Sequence, residues 1–138
     1  EIEKSNRKPI LVGYSLGGLI ALLAYQHGIR DKIRGIITVA PPINGIEMIG
    51  LLKPKKGLLK DIAPGSEFLE SLGKAKYHPN THHLLAEYDQ FVGNPDEITI
   101  DGEKIVLPIR GHNNFLGSQA TAQSVVNLVT EILKSAEN

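Results

Sequence analysis

Gly13-Tyr14-Ser15-Leu16-Gly17-Gly18 stands between a short apolar run, Ile10-Leu11-Val12, and a longer apolar stretch that ends at His27. The short run is unbroken rather than alternating and is partly β-branched, which fits a strand buried on both faces. The stretch from Gly18 to His27 leaves little polar surface, and Gly28 beyond it readily takes the left-handed backbone that ends helices, so a buried helix is expected. A G-x-S-x-G pattern at such a junction predicts a nucleophile elbow. The turn forces Ser15 into an unfavourable backbone conformation, and the glycines two before and two after it remove side chains that would collide. The helix start beside it makes the Leu16 N–H a candidate oxyanion donor. Gly18 lets that helix approach the strand closely. The alternative use of the turn is phosphate binding, but no lysine follows Gly18 in the place a phosphate loop requires.

Further along, Gly35 to Ala40 reads as a second buried strand ended by Pro41-Pro42, and Leu84 to Tyr88 as a third. Ile98-Thr99-Ile100 and Lys104-Ile105-Val106-Leu107, split by Asp101-Gly102, read as a hairpin with a type I′ turn. From Ser118 onward, Val125, Leu128, Val129, Ile132 and Leu133 recur on one helical face. Strands alternating with helices predict an α/β fold with a mainly parallel sheet flanked by helices, in one domain over residues 1–138. The segment 43–81 is too long for a structureless loop and is expected to form a lid or small helical cap. Its apolar residues Met48, Leu51, Leu52, Leu58, Leu59, Phe68 and Leu69 either cover an acyl-chain pocket or pack among themselves.

Composition limits the function classes. The chain has 138 residues, 41% hydrophobic, with 15 Lys+Arg against 15 Asp+Glu, which excludes general disorder. The charges balance to zero and are mixed along the chain, so there is no footprint for a nucleic-acid backbone or an anionic membrane. Cysteine is absent, which removes disulfides, thiolate nucleophiles and Cys-based zinc sites. No apolar run approaches the roughly 18 residues of a membrane span, so a soluble domain is expected.

A serine hydroxyl needs a base to take its proton and an acid to fix that base. His112, in Arg110-Gly111-His112-Asn113-Asn114-Phe115, lies between the last strand and the C-terminal helix, where its ring can reach over the sheet. His27 ends a helix, and His78, His82 and His83 lie where the 43–81 segment returns to the sheet. Adjacent strand residues point to opposite faces, so His82-His83 does not make a metal site. For the acid, Asp89 directly follows the third strand and is preferred over Asp96 and Glu97, which follow the turn signal Asn94-Pro95. The order is then Ser15, Asp89, His112.

These segments resemble the α/β-hydrolase superfamily, and within it the esterases and lipases. Gly13-Tyr14-Ser15-Leu16-Gly17-Gly18 is similar to the family's elbow, with Tyr14 where His is frequent; Asp89-Gln90-Phe91-Val92 is similar to its acid turn, and Gly111 to Leu116 to its histidine loop. Asp61 to Leu69 is similar to a stretch of bacterial lipases, and Ala40 to Gly45 takes the place of the family's Thr-Pro-His loop without its histidine. The resemblance implies a serine hydrolase that cleaves carboxylic esters through an acyl-enzyme, acting on a small, lipid-like ester with no metal or organic cofactor. An acyltransferase with the same triad and a non-catalytic scaffold are the other readings. Family members have several strands before the elbow strand and take a second oxyanion donor from a loop among them. The expectation is therefore a C-terminal portion whose sheet is completed by an N-terminal half or a partner chain. The compartment is not legible.

Overall fold

The computed structural model describes residues 8–135. Among the described residues, four strands, β1 (Ile10–Tyr14), β2 (Gly35–Val39), β3 (Thr81–Tyr88) and β4 (Glu103–Arg110), form one sheet in the order β1-β2-β3-β4, and every pairing is parallel. Five helices accompany them: α1 (Leu16–Ala24), α2 (Glu47–Leu51), α3 (Leu58–Asp61), α4 (Glu67–Lys74) and α5 (Gln119–Ser135). The α/β architecture expected from the alternating pattern is present.

Helices cover both faces of the sheet at β2, while β1 and β4 leave Val12 and Val106 about half exposed. A Cβ on Gly18 of α1 would meet Thr38, whereas a Cβ on Gly35 would meet Ile132 of α5. Residues 35 and 38 of one strand face opposite ways, so α1 and α5 pack on opposite sides. All five residues of β2 are buried as a result. Helix α5 buries Leu128 and Ile132 and leaves Leu133 exposed. Helix α1 is one-sided rather than wholly buried: Leu19 and Leu22 are inaccessible, but Ile20 is 58% exposed. It ends through a wider turn, Tyr25–Ile29, in which Gly28 takes a φ of 119°.

The expected hairpin does not form. Residues 98–100 are not a strand, and β4 runs parallel to β3 instead of folding back. The Asp101 carboxylate accepts from Lys76 Nζ and from the Tyr77 N–H, both at 2.8 Å, and Gly102, at φ 121°, fits against Thr81 and His83 where a Cβ would collide. These long-range contacts use the Asp-Gly pair to launch β4 beside β3.

The 43–81 segment holds α2, α3 and α4. Ser66 caps α4 by accepting from the Leu69 N–H, acidic Glu67 and Glu70 occupy its first turn, and Lys74 its last. Helix α4 buries Leu69 and Leu72. Further out, the Ile46 N–H donates to the Ile62 carbonyl at 3.0 Å, closing residues 46–62 into a loop clipped at its base. The two packing alternatives divide along the segment: Leu69 is buried and Phe68 half-buried, while Met48, Leu51, Leu52, Leu58 and Leu59 remain exposed. Among the described residues, no helix is long and apolar enough to cross a membrane.

Candidate active site

Ser15 sits at the junction of β1 and α1 with φ 51° and ψ −121°, a conformation L-residues avoid. The turn is tight enough that a Cβ on Gly13 would lie 2.3 Å from the Gly17 carbonyl oxygen. Gly17 itself has room for a Cβ, so its part is to bring its backbone against Gly13, not to clear a side chain as the spacing suggested. The Ser15 N–H donates to the Val39 carbonyl at 2.7 Å, which ties the turn to β2. Leu16 opens α1, so its N–H is among those with no partner inside the helix.

The Ser15 hydroxyl is 2.8 Å from His112 Nε2, and His112 Nδ1 is 2.7 Å from Asp89 Oδ2. A carboxylate has no proton to give, so Nδ1–H donates to Asp89 and Nε2 is left to accept from the serine. Asp89 follows β3 at the carboxyl end of the sheet, and its side chain is 1% exposed. Its second oxygen accepts the N–H groups of Phe91 at 2.8 Å and Val92 at 3.1 Å, which fix the orientation of the side chain. The sequence-selected Ser15, Asp89 and His112 thus form one connected chain of hydrogen bonds. Asp96 and Glu97 lie in an exposed turn after Asn94, whose side chain accepts the Asp96 N–H.

The histidine is also braced through its backbone. Its N–H donates to Gln90 Oε1 at 3.2 Å, and its carbonyl accepts from the Tyr14 hydroxyl at 3.1 Å. Burial, then the Asp89 charge, push the Tyr14 phenol up from its ordinary value, so it remains a donor. The Phe91 ring meets the imidazole edge-on at 5.1 Å. The sequence marks Tyr14 only as standing where His is frequent in the family, and Gln90 only as a member of the acid turn; neither bracing role follows from that.

The remaining histidines are engaged elsewhere or exposed. His82 bonds Glu103 at 2.9 Å, while His83 points to the other face, its Nδ1 2.7 Å from Thr38 Oγ1 and its Nε2 3.0 Å from the Asp101 carbonyl. His78 accepts the Asn80 N–H, and His27 is exposed at the end of α1.

A cleft of about 460 Å³ opens beside Ser15, lined by Tyr14, Ile46, Met48, Ile49, Leu52, Phe91, His112 and Asn113. Its walls are mainly apolar, and Ser15 and His112 are part of the lining. Ile46 and Ile49 are among the apolar residues of the 43–81 segment, but nothing in a local pattern tells which of them meet the cleft.

A family model described as the alpha/beta hydrolase fold matches residues 3–93. No curated protein matches the sequence. Among solved structures, a Burkholderia cenocepacia protein assigned as an aryl esterase superposes with a TM-score of 0.59 at 17% identity, covering 93% of this chain and 66% of that one. The monoacylglycerol lipase of Paleococcus ferrophilus gives 0.59 at 18% identity, covering 96% and 71%. A thermophilic esterase from Thermogutta terrifontis gives 0.55 at 18% identity, covering 95% and 66%. The chain therefore spans about two thirds of the length of these structures, and at such identities the likeness is one of fold.

Proposed function

This chain belongs to the alpha/beta hydrolase fold family, and on that premise we propose that it is the catalytic part of a serine hydrolase acting on carboxylic esters. Ser15 attacks the ester carbonyl while His112 Nε2 takes its proton; Asp89 keeps the ring in the required tautomer and stabilises the imidazolium. The imidazolium then protonates the departing alcohol, leaving an acyl-Ser15 ester. Water, deprotonated by the same nitrogen, attacks that ester; as the acyl–Oγ bond breaks, His112 returns the proton to Ser15 Oγ and the carboxylic acid leaves. The Leu16 N–H is one donor to the oxyanion of both tetrahedral intermediates.

The observation that carries this reading is the continuous Ser15–His112–Asp89 hydrogen-bond chain, with its serine end opening on an apolar cleft. Such a lining favours an ester with an uncharged, lipid-like acyl group. The clipped loop 46–62 acts as a cap, since Ile46, Met48, Ile49 and Leu52 form one wall. Known esterase and lipase folds among the structural neighbours are consistent with this class. The test is a fluorophosphonate probe on the folded protein. Labelling at Ser15 that disappears in Ser15→Ala supports the proposal; folded protein that takes up no probe refutes it and leaves a binding or scaffold role.

A further inference from the structure

The balanced charge of the whole chain, from which no footprint for an anionic membrane is expected, conceals a local concentration that alters that expectation. Leu51-Leu52-Lys53-Pro54-Lys55-Lys56-Gly57-Leu58-Leu59-Lys60 forms the outer part of the clipped loop, from the end of α2 into α3. The leucines face solvent: Leu51 is 82% exposed, Leu52 72%, Leu58 54% and Leu59 50%, and Met48 beside them is 62% exposed. All four lysines are exposed as well, and among the described residues none is held in an ion pair. Glu47 and Asp61 are the only acids between residues 46 and 62. An apolar patch of this kind rimmed by one sign of charge marks an interaction surface.

We propose that this loop docks on an anionic lipid surface and sets the mouth of the Ser15 cleft against it. Two properties select that partner. The surface is at once apolar and cationic, so leucines enter the acyl boundary while the flexible lysine stems carry their ammonium groups to anionic headgroups. A nucleic acid uses the charges but leaves two Leu-Leu pairs in water. The second property is continuity: Met48 and Leu52 belong both to the exposed patch and to the cleft wall, so the docked face leads directly to the serine. The proposal rests on the ester-hydrolase reading for its purpose, because an acyl chain drawn from the lipid layer reaches the cleft without crossing water. It does not depend on that reading for its measurement.

The experiment is co-sedimentation of the full chain carrying Ser15→Ala with vesicles of phosphatidylcholine, with or without phosphatidylglycerol. Omitting the hydroxyl keeps lipid turnover out of the readout. Binding is expected to vesicles containing phosphatidylglycerol, to weaken with added salt, and to fall by about tenfold or more in the combined Lys53→Glu, Lys55→Glu, Lys56→Glu variant. The Leu51→Ser, Leu58→Ser, Leu59→Ser variant is expected to lose binding as well. These exposed positions lie outside the cleft lining, so both variants, in the background that retains Ser15, keep the thermal unfolding temperature and the fluorophosphonate labelling of the parent. Absence of binding by folded parent protein overturns docking while leaving the hydrolase reading intact, and binding that both variants retain also overturns it. A concentration-dependent dimer dissolved by the leucine variant, without vesicle binding, assigns the patch to a second copy of this chain instead. Vesicle binding without any probe labelling of protein that retains Ser15 upholds docking and refutes the hydrolase.

Discussion

Two histidines, one on strand β3 and one in the loop after β4, make the same kind of connection and differ in what surrounds it. His112 lies between the Ser15 hydroxyl and an Asp89 oxygen; His83 lies between the Thr38 hydroxyl and the Asp101 carbonyl oxygen. Each ring nitrogen of both has a partner, and both rings are buried. At His83 the far oxygen is a neutral carbonyl, the hydroxyl is wholly enclosed, and burial pushes the imidazole down from its ordinary value. At His112 the far oxygen belongs to a carboxylate able to stabilise a charged ring, and the hydroxyl stands on a strained turn at the edge of a cleft. A hydroxyl-imidazole-oxygen chain is thus not a reactive site by itself. Access for a substrate and a counter-charge for the imidazolium separate the two.

Breaking the chemistry on one side and not on the other gives the largest contrast. Ser15→Ala is expected to lower ester turnover by about 10⁴-fold or more, measured on a soluble short-chain ester, while Thr38→Val leaves fluorophosphonate labelling of Ser15 in place. Labelling lost in a folded Thr38→Val protein erases the distinction. The counter-charge comes next. Asp89→Asn is expected to cost about 10⁴-fold in kcat by allowing the wrong tautomer, whereas Asp96→Asn changes little; the reverse outcome moves the acid to position 96.

A smaller effect is expected on stability. Thr38→Val keeps the shape but leaves His83 Nδ1 buried without a partner, at a cost of about 1–3 kcal/mol, read as a lowered urea midpoint with an unchanged slope. The mildest effect is on pH dependence. Because the folded pKa of His83 lies below the ordinary 6.5, the unfolded chain binds the proton first as pH falls. Stability is therefore full above about 6.5 and declines with acidification until the folded ring also titrates. His83→Gln is expected to flatten that part of the acid limb in urea titrations; a limb of unchanged slope assigns it to other groups.

The parts of this molecule that were legible in sequence are those whose cause is local. Gly13 and Ser15 imply their backbone geometry from spacing alone, and the apolar run of β2 implies a parallel strand covered on both faces, whereas β1, read the same way, lies at the edge of the described sheet and leaves Val12 52% exposed. Where an element's conformation depends on a distant partner, the local pattern does not carry it. Asp101-Gly102 has the chemistry of a hairpin turn, but its carboxylate is taken by Lys76 and Tyr77, and the chain continues beside β3. Strand β3 begins at Thr81, earlier than its apolar run, because His82 and His83 find polar partners on Glu103, Thr38 and Asp101. In the candidate site, the three principal side chains were legible from residue type and order. Tyr14, Gln90, Ile46 and Ile49 were not, since their roles come from which neighbours the fold delivers.

The bond from Ile46 to Ile62 has a consequence for how this protein can diversify. A stretch whose two stems meet is exchangeable as a cassette: its length and side chains can vary while the serine mount, tied separately to Val39, keeps its place. On the proposed reading, the reacting side chains and the residues that select the substrate lie on separately anchored pieces of the chain, so mutation can retune the second while sparing the first.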